Sequence, residues 1–404
     1  MKAIYSILYT LSAKGFSFFL NYIAVSLLLL ESYGEFSLIF STINSLVVVT
    51  SLGLLYSGSI VSSKWMSVNK DYVFNYFKFS LYLIFVLSLL FSYSFSIFYG
   101  NFIWVFLSVF IFSLVSLFDG FFYGIGSIKK LSIIGLINII IIIPITYVFI
   151  KNLGLYGSIL TIAFCKVFIV VIQIYFFAKE FEKKYFYIKI NYFRQIMLFY
   201  RKYNLPLLIS AFIATPVVTA SIYILSINKN LEEVAIFSWI YQIYLIGMFI
   251  PISLGSYYLS ILNKKNIENK INYIFMINKF NLLVTMFSIF IIFMIKYFIL
   301  ELGKIEKIPN SSNVFNMFLV CMLVYSLNLG FLSFWSSIGK NYFHLVLQIL
   351  WAFTLLFTVY LSVSELGAVS IPLGMSLGFM LQYVLQFLTL KKHIKKLNVN
   401  KVGV

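Results

Sequence analysis

The sequence predicts an all-α integral membrane protein with about twelve transmembrane helices in two six-helix halves. Of its 404 residues, 62% are hydrophobic and only 10% are charged, whereas a soluble globular protein has roughly 25% charged residues. Apolar runs repeatedly exceed the roughly 20 residues that cross a hydrocarbon core of about 30 Å. Lysine and arginine also fall mainly in alternate loops, as expected of a multi-pass membrane protein.

The predicted spans follow one another with short connections. The first six cover approximately residues 4–30, 36–62, 76–98, 102–126, 131–150 and 155–177, and the second six cover 205–227, 234–262, 273–298, 314–335, 342–363 and 367–390. Four segments follow: a first bundle at 1–178, a basic cytoplasmic linker at 179–203, a second bundle at 204–390 and a basic cytoplasmic tail at 391–404. We expect no removable signal peptide, because the first apolar run lacks a small-residue cleavage site.

The distribution of basic residues predicts the orientation of the chain. If both termini are cytoplasmic, most lysines and arginines lie inside, and the outer loops hold only Lys151, Lys229, Lys304 and Lys307. Cytoplasmic loops of membrane proteins retain Lys and Arg in this way. Much of the formal charge of +18 therefore reflects topology, and we expect no nucleic-acid partner.

Short matches between the two halves indicate an internal repeat. Glu31 precedes Phe36-Ser37 in the same register in which Glu232 precedes Phe237-Ser238, and Leu153-Gly154 corresponds to Leu366-Gly367. Two six-span halves would repeat in parallel orientation, an arrangement found in transporters that work by alternating access. Chance matching of apolar sequences is the other explanation.

The stretch Tyr33-Gly-Glu-Phe-Ser37 resembles the N-terminal pattern of the Wzx-type O-antigen and polysaccharide flippases. The similarity extends over the chain through the span number, the basic linker, Leu153-Gly-Leu-Tyr-Gly157 and Pro251, although these motifs are loose. Those flippases belong to the multidrug/oligosaccharidyl-lipid/polysaccharide (MOP) exporter superfamily, whose two six-helix bundles form a V around a central cavity.

The resemblance implies a flippase of the bacterial cytoplasmic membrane. Its substrate would be an undecaprenyl-diphosphate-linked oligosaccharide, an O-antigen or capsule repeat unit, moved from the inner to the outer leaflet by alternating access. Proton or sodium gradient coupling is implied, with no bound cofactor. The partners would be the lipid-linked oligosaccharide, membrane lipids and a polysaccharide polymerase.

Ionisable side chains inside a span cost about 2.5–3.5 kcal/mol on insertion scales, so each needs a partner or a wet cavity. Lys14 lies about ten residues into the first span and shares a polar stripe with Thr10, Ser17 and Asn21, which predicts a cavity-lining face. Snorkelling of Lys14 is the other interpretation. Asp119 is the one acidic residue well inside a predicted span. It would pair with Lys14, exchange a coupling proton, or form a purely structural ion pair.

Three further side chains complete the candidate site. Lys166 is central in the sixth span and Lys279 lies just inside the ninth, and each could offer charge and donors to a diphosphate. Lys279 could also snorkel. His344 shares a helix face with Asn341, Gln348 and Trp351, and its near-neutral titration would suit proton coupling. Such a histidine is also common as a hydrogen-bonded residue at a helix end.

Two other functions compete with the flippase. A membrane polysaccharide polymerase would have a substantial outer loop, which this sequence lacks. A drug or small-molecule exporter of the same superfamily would favour acidic residues for cationic substrates. We predict no catalytic residues and no metal site, because the sequence has neither a P-loop nor a recognisable Ser/His/Asp or metal-ligand constellation.

Overall fold

The computed structural model describes the backbone of residues 2–99, 102–181, 190–254, 258, 262, 267–338 and 340–402. They are almost entirely helical and contain no strand. The chain forms two compact units, Met1–Thr219 (unit 1) and Ala220–Val404 (unit 2). The division falls within one helix. The linker predicted at 179–203 stays a prediction.

Unit 1 consists of eight helices and the first part of a ninth among the described residues. They are α1 (Lys2–Leu27), α2 (Leu30–Thr50), α3 (Leu54–Trp65), α4 (Lys70–Tyr99), α5 (Phe102–Gly124), α6 (Ile128–Phe164), α7 (Val167–Glu180), α8 (Ile190–Phe199) and α9 (Leu205–Asn228). A π-helical turn, Tyr200–Asn204, joins α8 to α9. Leu52 and Gly53 have positive φ and separate α2 from α3 within the predicted second span.

Unit 2 continues from α9 with helices of very unequal length. They are α10 (Leu231–Gly247), α11 (Phe249–Ser253), α12 (Ile267–Met294), α13 (Lys296–Leu302), α14 (Ser311–Ser326), α15 (Leu329–Ser337), α16 (Asn341–Leu366) and α17 (Ser370–Val402). A 3-10 turn, Gly367–Val369, connects α16 to α17. Asn230 caps α10, because its side-chain oxygen accepts a hydrogen bond of 3.0 Å from the Glu233 N–H.

The described helices confirm the prediction of an all-α membrane fold. Seven helical stretches are long and apolar enough to cross a membrane, and two shorter apolar helices cover 15–27 and 215–228. The stretches Ile128–Glu180 and Tyr342–Lys392 contain 53 and 51 residues, about twice the length of one span. Each of these two stretches corresponds to two of the predicted spans.

The long stretches change direction at the two glycines that the sequence repeat aligned. Gly154 has φ 56° and ψ −130°, and Gly367 has φ 54° and ψ −131°. This region of backbone space is essentially restricted to glycine. The same conformation at equivalent positions supports the internal repeat, and it explains why glycine stands at both.

Close helix packing in unit 1 depends on small residues. A Cβ on Gly120 would lie 2.6 Å from the Leu54 carbonyl oxygen, and one on Gly124 would lie 2.5 Å from the Ser62 Cβ. Helices in membranes commonly pack through such small-xxx-small surfaces, because small residues let the backbones approach each other. The contact holds α5 tightly against α3 and thereby fixes the position of Asp119, the residue next to Gly120.

Candidate functional site

The interior of unit 1 contains a buried carboxylate with two neutral hydrogen-bond donors. Asp119 on α5 is 7% exposed. The Tyr9 hydroxyl of α1 donates to its Oδ2, and the Gln173 Nε2 of α7 donates to its Oδ1 at 2.7 Å. Three helices that are separate in sequence therefore meet at one carboxyl group. Hydrogen bonds of this kind compensate the loss of hydration that burial of a carboxylate causes.

Gln173 leaves one acceptor of this cluster without a partner. Its side chain is fully buried, and within the described residues its Oε1 has no hydrogen-bond donor. A buried, unpaired carbonyl oxygen is costly, and native structures usually supply a partner. An unpaired oxygen beside a carboxylate is a suitable place for a cation or a proton donor.

Lys166 supplies a positive charge to the same interior. It stands in the non-helical connection between α6 and α7, is half-buried, and its Nζ lies 4.9 Å from the centre of the Phe16 ring and 5.9 Å from that of Phe112. It is near enough to attract the Asp119 carboxylate electrostatically. Aromatic faces stabilise a cation without occupying its N–H donors as an oxygen acceptor would, so the ammonium can still bind an anion.

Unit 2 contains a neutral counterpart of this cluster. Gln386 lies as many residues after Gly367 as Gln173 lies after Gly154, and its Nε2 donates to the Asn328 Oδ1 at 2.7 Å. The same bond is therefore made in both units, to a carboxylate in unit 1 and to a carboxamide in unit 2.

The position that corresponds to Lys166 is also neutral in unit 2. Counting from each glycine aligns Lys166 with Phe379, whose ring lies 4.5 Å from that of Tyr325 and 5.4 Å from that of Trp351. Both charges of the cluster are thus absent from the aligned positions of unit 2, where the chain leaves the helix at Asn328 and α17 continues unbroken through Phe379. The glutamine bond by itself does not require a charge on its acceptor.

The other predicted residues of unit 1 have different surroundings. Lys14 is on α1, but its side chain lies outside the described residues, so its predicted pairing with Asp119 stays a prediction. Asn21 is 1% exposed. It donates to the Ser17 carbonyl oxygen at 2.8 Å and accepts from the Tyr33 hydroxyl at 3.1 Å, which ties α1 to α2.

The two predicted residues of unit 2 are not part of its neutral cluster. Lys279 is exposed on α12, on a face with Met276 (58% exposed) and Leu283 (57% exposed). The His344 side chain is half-buried near the beginning of α16, and the backbone N–H of His344 donates to the Lys340 carbonyl oxygen with an N to O distance of 3.4 Å. A cavity role for Lys279 and a coupling role for His344 stay predictions.

Tyr9 and Gln173 are the site residues that the sequence interpretation missed. A signal for Gln173 was present, because it lies two helical turns after Lys166 in the same span and recurs as Gln386 in the second half. Tyr9 had no such signal in a chain with 30 tyrosines. Within the described residues, no group of three or more His, Cys, Asp or Glu side chains could hold a metal ion.

The chain is similar to solved transporter structures over almost its whole length. An inward-facing multidrug resistance MATE family transporter of the MOP superfamily superimposes with a TM-score of 0.75 at 15% identity, covering 98% of this chain and 99% of that one. A MOP superfamily transporter from Pyrococcus furiosus gives 0.69 at 17% identity, with 98% and 95% covered. Its binding pocket is described as having reverse polarity that suggests a different function.

An outward-facing MATE structure gives a TM-score of 0.66 at 16% identity, with 98% and 95% covered. At these identities the similarity shows the fold alone, and this chain has the fold of MATE transporters of the MOP superfamily. No protein-family model matches the chain. No curated protein matches it either.

Proposed function

We propose that this protein is an ion-coupled flippase that moves an undecaprenyl-diphosphate-linked oligosaccharide from the inner to the outer leaflet of the bacterial cytoplasmic membrane. The MOP transporter fold supports transport as the general activity. Both termini would be cytoplasmic, as the distribution of lysine and arginine predicts. Lys166 and Asp119 would bind the substrate phosphate and the coupling ion, respectively.

The observation that carries the substrate proposal is the environment of Lys166. Its ammonium contacts two aromatic rings, and in the described part of the chain no side-chain or backbone oxygen accepts a hydrogen bond from it. An ammonium inside a span is costly, and its three N–H groups suit phosphate oxygens. A lipid diphosphate would therefore stabilise the charge of Lys166, whereas the aligned residue of unit 2, Phe379, is uncharged.

The coupling proposal rests on the oxygens around Asp119. The carboxylate, the Tyr9 hydroxyl and the unpaired Gln173 Oε1 are all hard oxygen groups, which suit a hard cation such as sodium. A proton on Asp119 could instead donate to a neighbouring acceptor. Either ion would neutralise the carboxylate and weaken its attraction for Lys166, which links ion binding to phosphate binding.

Export of a cationic drug is the second candidate function. The multidrug MATE neighbours share the fold, and a buried acid such as Asp119 could bind a cation directly. The two functions make opposite predictions for Lys166. A phosphate-binding lysine is needed for transport, whereas a lysine near a cation site opposes substrate binding by charge repulsion.

The test measures transfer of a lipid-diphosphate-linked oligosaccharide across proteoliposomes. The variants are Lys166→Gln, Lys166→Arg and the matched control Lys130→Gln, at equal protein incorporation. Lys130 is a suitable control because its Nζ also lies over an aromatic ring, at 5.1 Å from the centre of Phe176, but on the exposed surface. A cationic dye is measured in parallel.

We expect Lys166→Gln to slow oligosaccharide transfer about tenfold or more, the equivalent of one charged hydrogen bond. Lys166→Arg should retain part of the activity and Lys130→Gln all of it. Equal transfer by the Lys166→Gln variant and the unaltered protein would contradict the assignment of Lys166. Dye export that increases in Lys166→Gln, without oligosaccharide transfer by any form, would establish the drug-export alternative.

A further inference from the structure

Helix α8 and the π-helical turn after it are fixed to unit 1 by one face. Ile196 is fully buried and Tyr200 is 9% exposed. The Tyr200 hydroxyl lies 2.5 Å from the Ser80 Oγ of α4, and the Asn204 Nδ2 donates to the Leu52 carbonyl oxygen at 3.2 Å. These contacts hold the segment rigidly against α4, so its opposite face has a defined orientation.

The opposite face combines arginines with exposed apolar side chains. Phe193, Met197 and Leu198 are 48%, 47% and 59% exposed, and Arg194 and Arg201 are exposed two turns apart. We call these five residues the α8 surface. The sequence of residues 190–204 contains three basic and no acidic residues, so the segment carries net positive charge.

The α8 surface lies next to the edge of the apolar band on α4. The Phe193 ring is 5.7 Å from that of Phe79, and the exposed apolar side chains of α4 begin two residues later, at Leu81 (37% exposed) and Tyr82 (54%). Two residues of helix correspond to about 3 Å along the axis. The arginines of α8 are therefore close to the level at which the hydrocarbon region of the bilayer ends.

We propose that the α8 surface binds the phosphate head groups of anionic phospholipids. Phe193 continues the apolar band of α4 into the acyl region. Met197 and Leu198 lie on either side of the two arginines around the helix, so they reach the acyl chains next to the phosphates. Arg194 and Arg201 bind phosphate oxygens through their planar, bidentate donors. The surface would be complementary to a negatively charged leaflet whatever substrate the protein transports.

The experiment measures phosphatidylglycerol and phosphatidylcholine binding to the purified full-length protein by native mass spectrometry. The test variant is Arg194→Gln with Arg201→Gln. The matched control, Lys391→Gln with Lys392→Gln, removes the same charge from an exposed pair on α17. Unfolding temperatures in phosphatidylcholine nanodiscs verify that both variants fold.

We expect the arginine variant to bind phosphatidylglycerol roughly 25-fold more weakly, about fivefold for each basic residue near an anionic surface. Phosphatidylcholine binding and the lysine control should be unchanged. If the arginine variant does not fold, Arg194→Lys with Arg201→Lys replaces it. Binding is then measured at 1 M salt, where the Debye length is about 3 Å. We expect both the unaltered protein and this variant to lose their preference for phosphatidylglycerol under that condition. Unchanged phosphatidylglycerol binding without the arginines, an equal loss in the lysine control, or a preference that survives high salt would overturn the proposal.

Discussion

Exchanging the acid and amide between the two units tests whether the charge of Asp119 serves function or structure. Asp119→Asn gives unit 1 the neutral pair that Gln386 and Asn328 form in unit 2. Asn328→Asp does the reverse and gives unit 2 a buried carboxylate. That carboxylate would lack a counterpart of Lys166, because the residue of unit 2 that aligns with Lys166 is Phe379. The two substitutions change the same few atoms, but the Asn328 Nδ2 also donates to the Val324 and Phe379 carbonyl oxygens, which a carboxylate cannot do.

The structure predicts unequal effects on stability. In Asp119→Asn the bond from Gln173 remains, and the bond with Tyr9 can reverse its direction, because the amide donates and the hydroxyl accepts. Two bonds to a charged group become neutral ones, a loss of about 1–2 kcal/mol, offset by removal of the buried charge. We expect a net change within about 1 kcal/mol for Asp119→Asn. We expect Asn328→Asp to destabilise by more than about 2.5–3.5 kcal/mol, because the cost of the buried charge adds to the loss of the two bonds that the Asn328 amide donates.

Reversible unfolding in mixed micelles measures both free energies, and proteoliposome assays measure ion-driven transport. We expect Asp119→Asn to fold normally and to lose its dependence on the ion gradient. The argument fails if Asp119→Asn destabilises the protein by as much as Asn328→Asp. That result would show that the charge of Asp119 is required for the fold.

Three further predictions concern the scaffold, with the free energy of unfolding as the common measurement. Gly154→Ala should destabilise the protein by about 1–3 kcal/mol, because alanine is strained in this backbone conformation. Gly367→Ala should destabilise it by more, because a Cβ at Gly367 would also lie 2.8 Å from the Glu233 Oε2 of α10. Equal losses for the two variants would contradict this. Gly120→Ala should destabilise the protein by about 1–3 kcal/mol, because the added methyl separates α5 from α3. Gly15→Ala is the control and should be tolerated, because its Cβ would meet only the Ile139 Cδ1 at 3.7 Å. An unchanged free energy of unfolding for Gly120→Ala would refute the close packing. Tyr33→Phe should cost about 0.6–1.7 kcal/mol through loss of one buried interhelical bond, and no loss would show that this bond contributes nothing.

Composition and hydropathy were sufficient to predict the fold class. Apolar runs of bilayer length can satisfy their backbone hydrogen bonds in lipid as helices, so length and hydropathy carry the information directly. The aligned glycines, Gly154 and Gly367, were also visible in the sequence, because a backbone region closed to other residues selects glycine at both positions. Their shared φ and ψ values support the repeat independently of sequence matching.

The candidate site was only partly predictable. Asp119 and Lys166 stand out because charge is rare in a span, and the structure brings them into one interior. The sequence suggested Lys14 as the partner of Asp119, which stays a prediction because the Lys14 side chain lies outside the described residues. Predicted depth did not indicate Tyr9 and Gln173, because it shows which residues share a level but not which helix faces meet. The cavity role that the polar stripe predicted for Asn21 stays a prediction, and the structure shows that its side chain bonds to Tyr33 and to the Ser17 carbonyl oxygen.

The sequence by itself determined that this protein is a helical membrane protein, that Gly154 and Gly367 correspond in its two halves, and which charges are costly to bury. The tertiary structure decided that Tyr9 and Gln173 bind Asp119, and that the same glutamine bond recurs without charge in unit 2. The physical reason is that hydropathy is a property of each residue in its solvent. A hydrogen bond between helices depends on their rotation and spacing, which are set by packing contacts such as that of Gly120 against the Leu54 carbonyl.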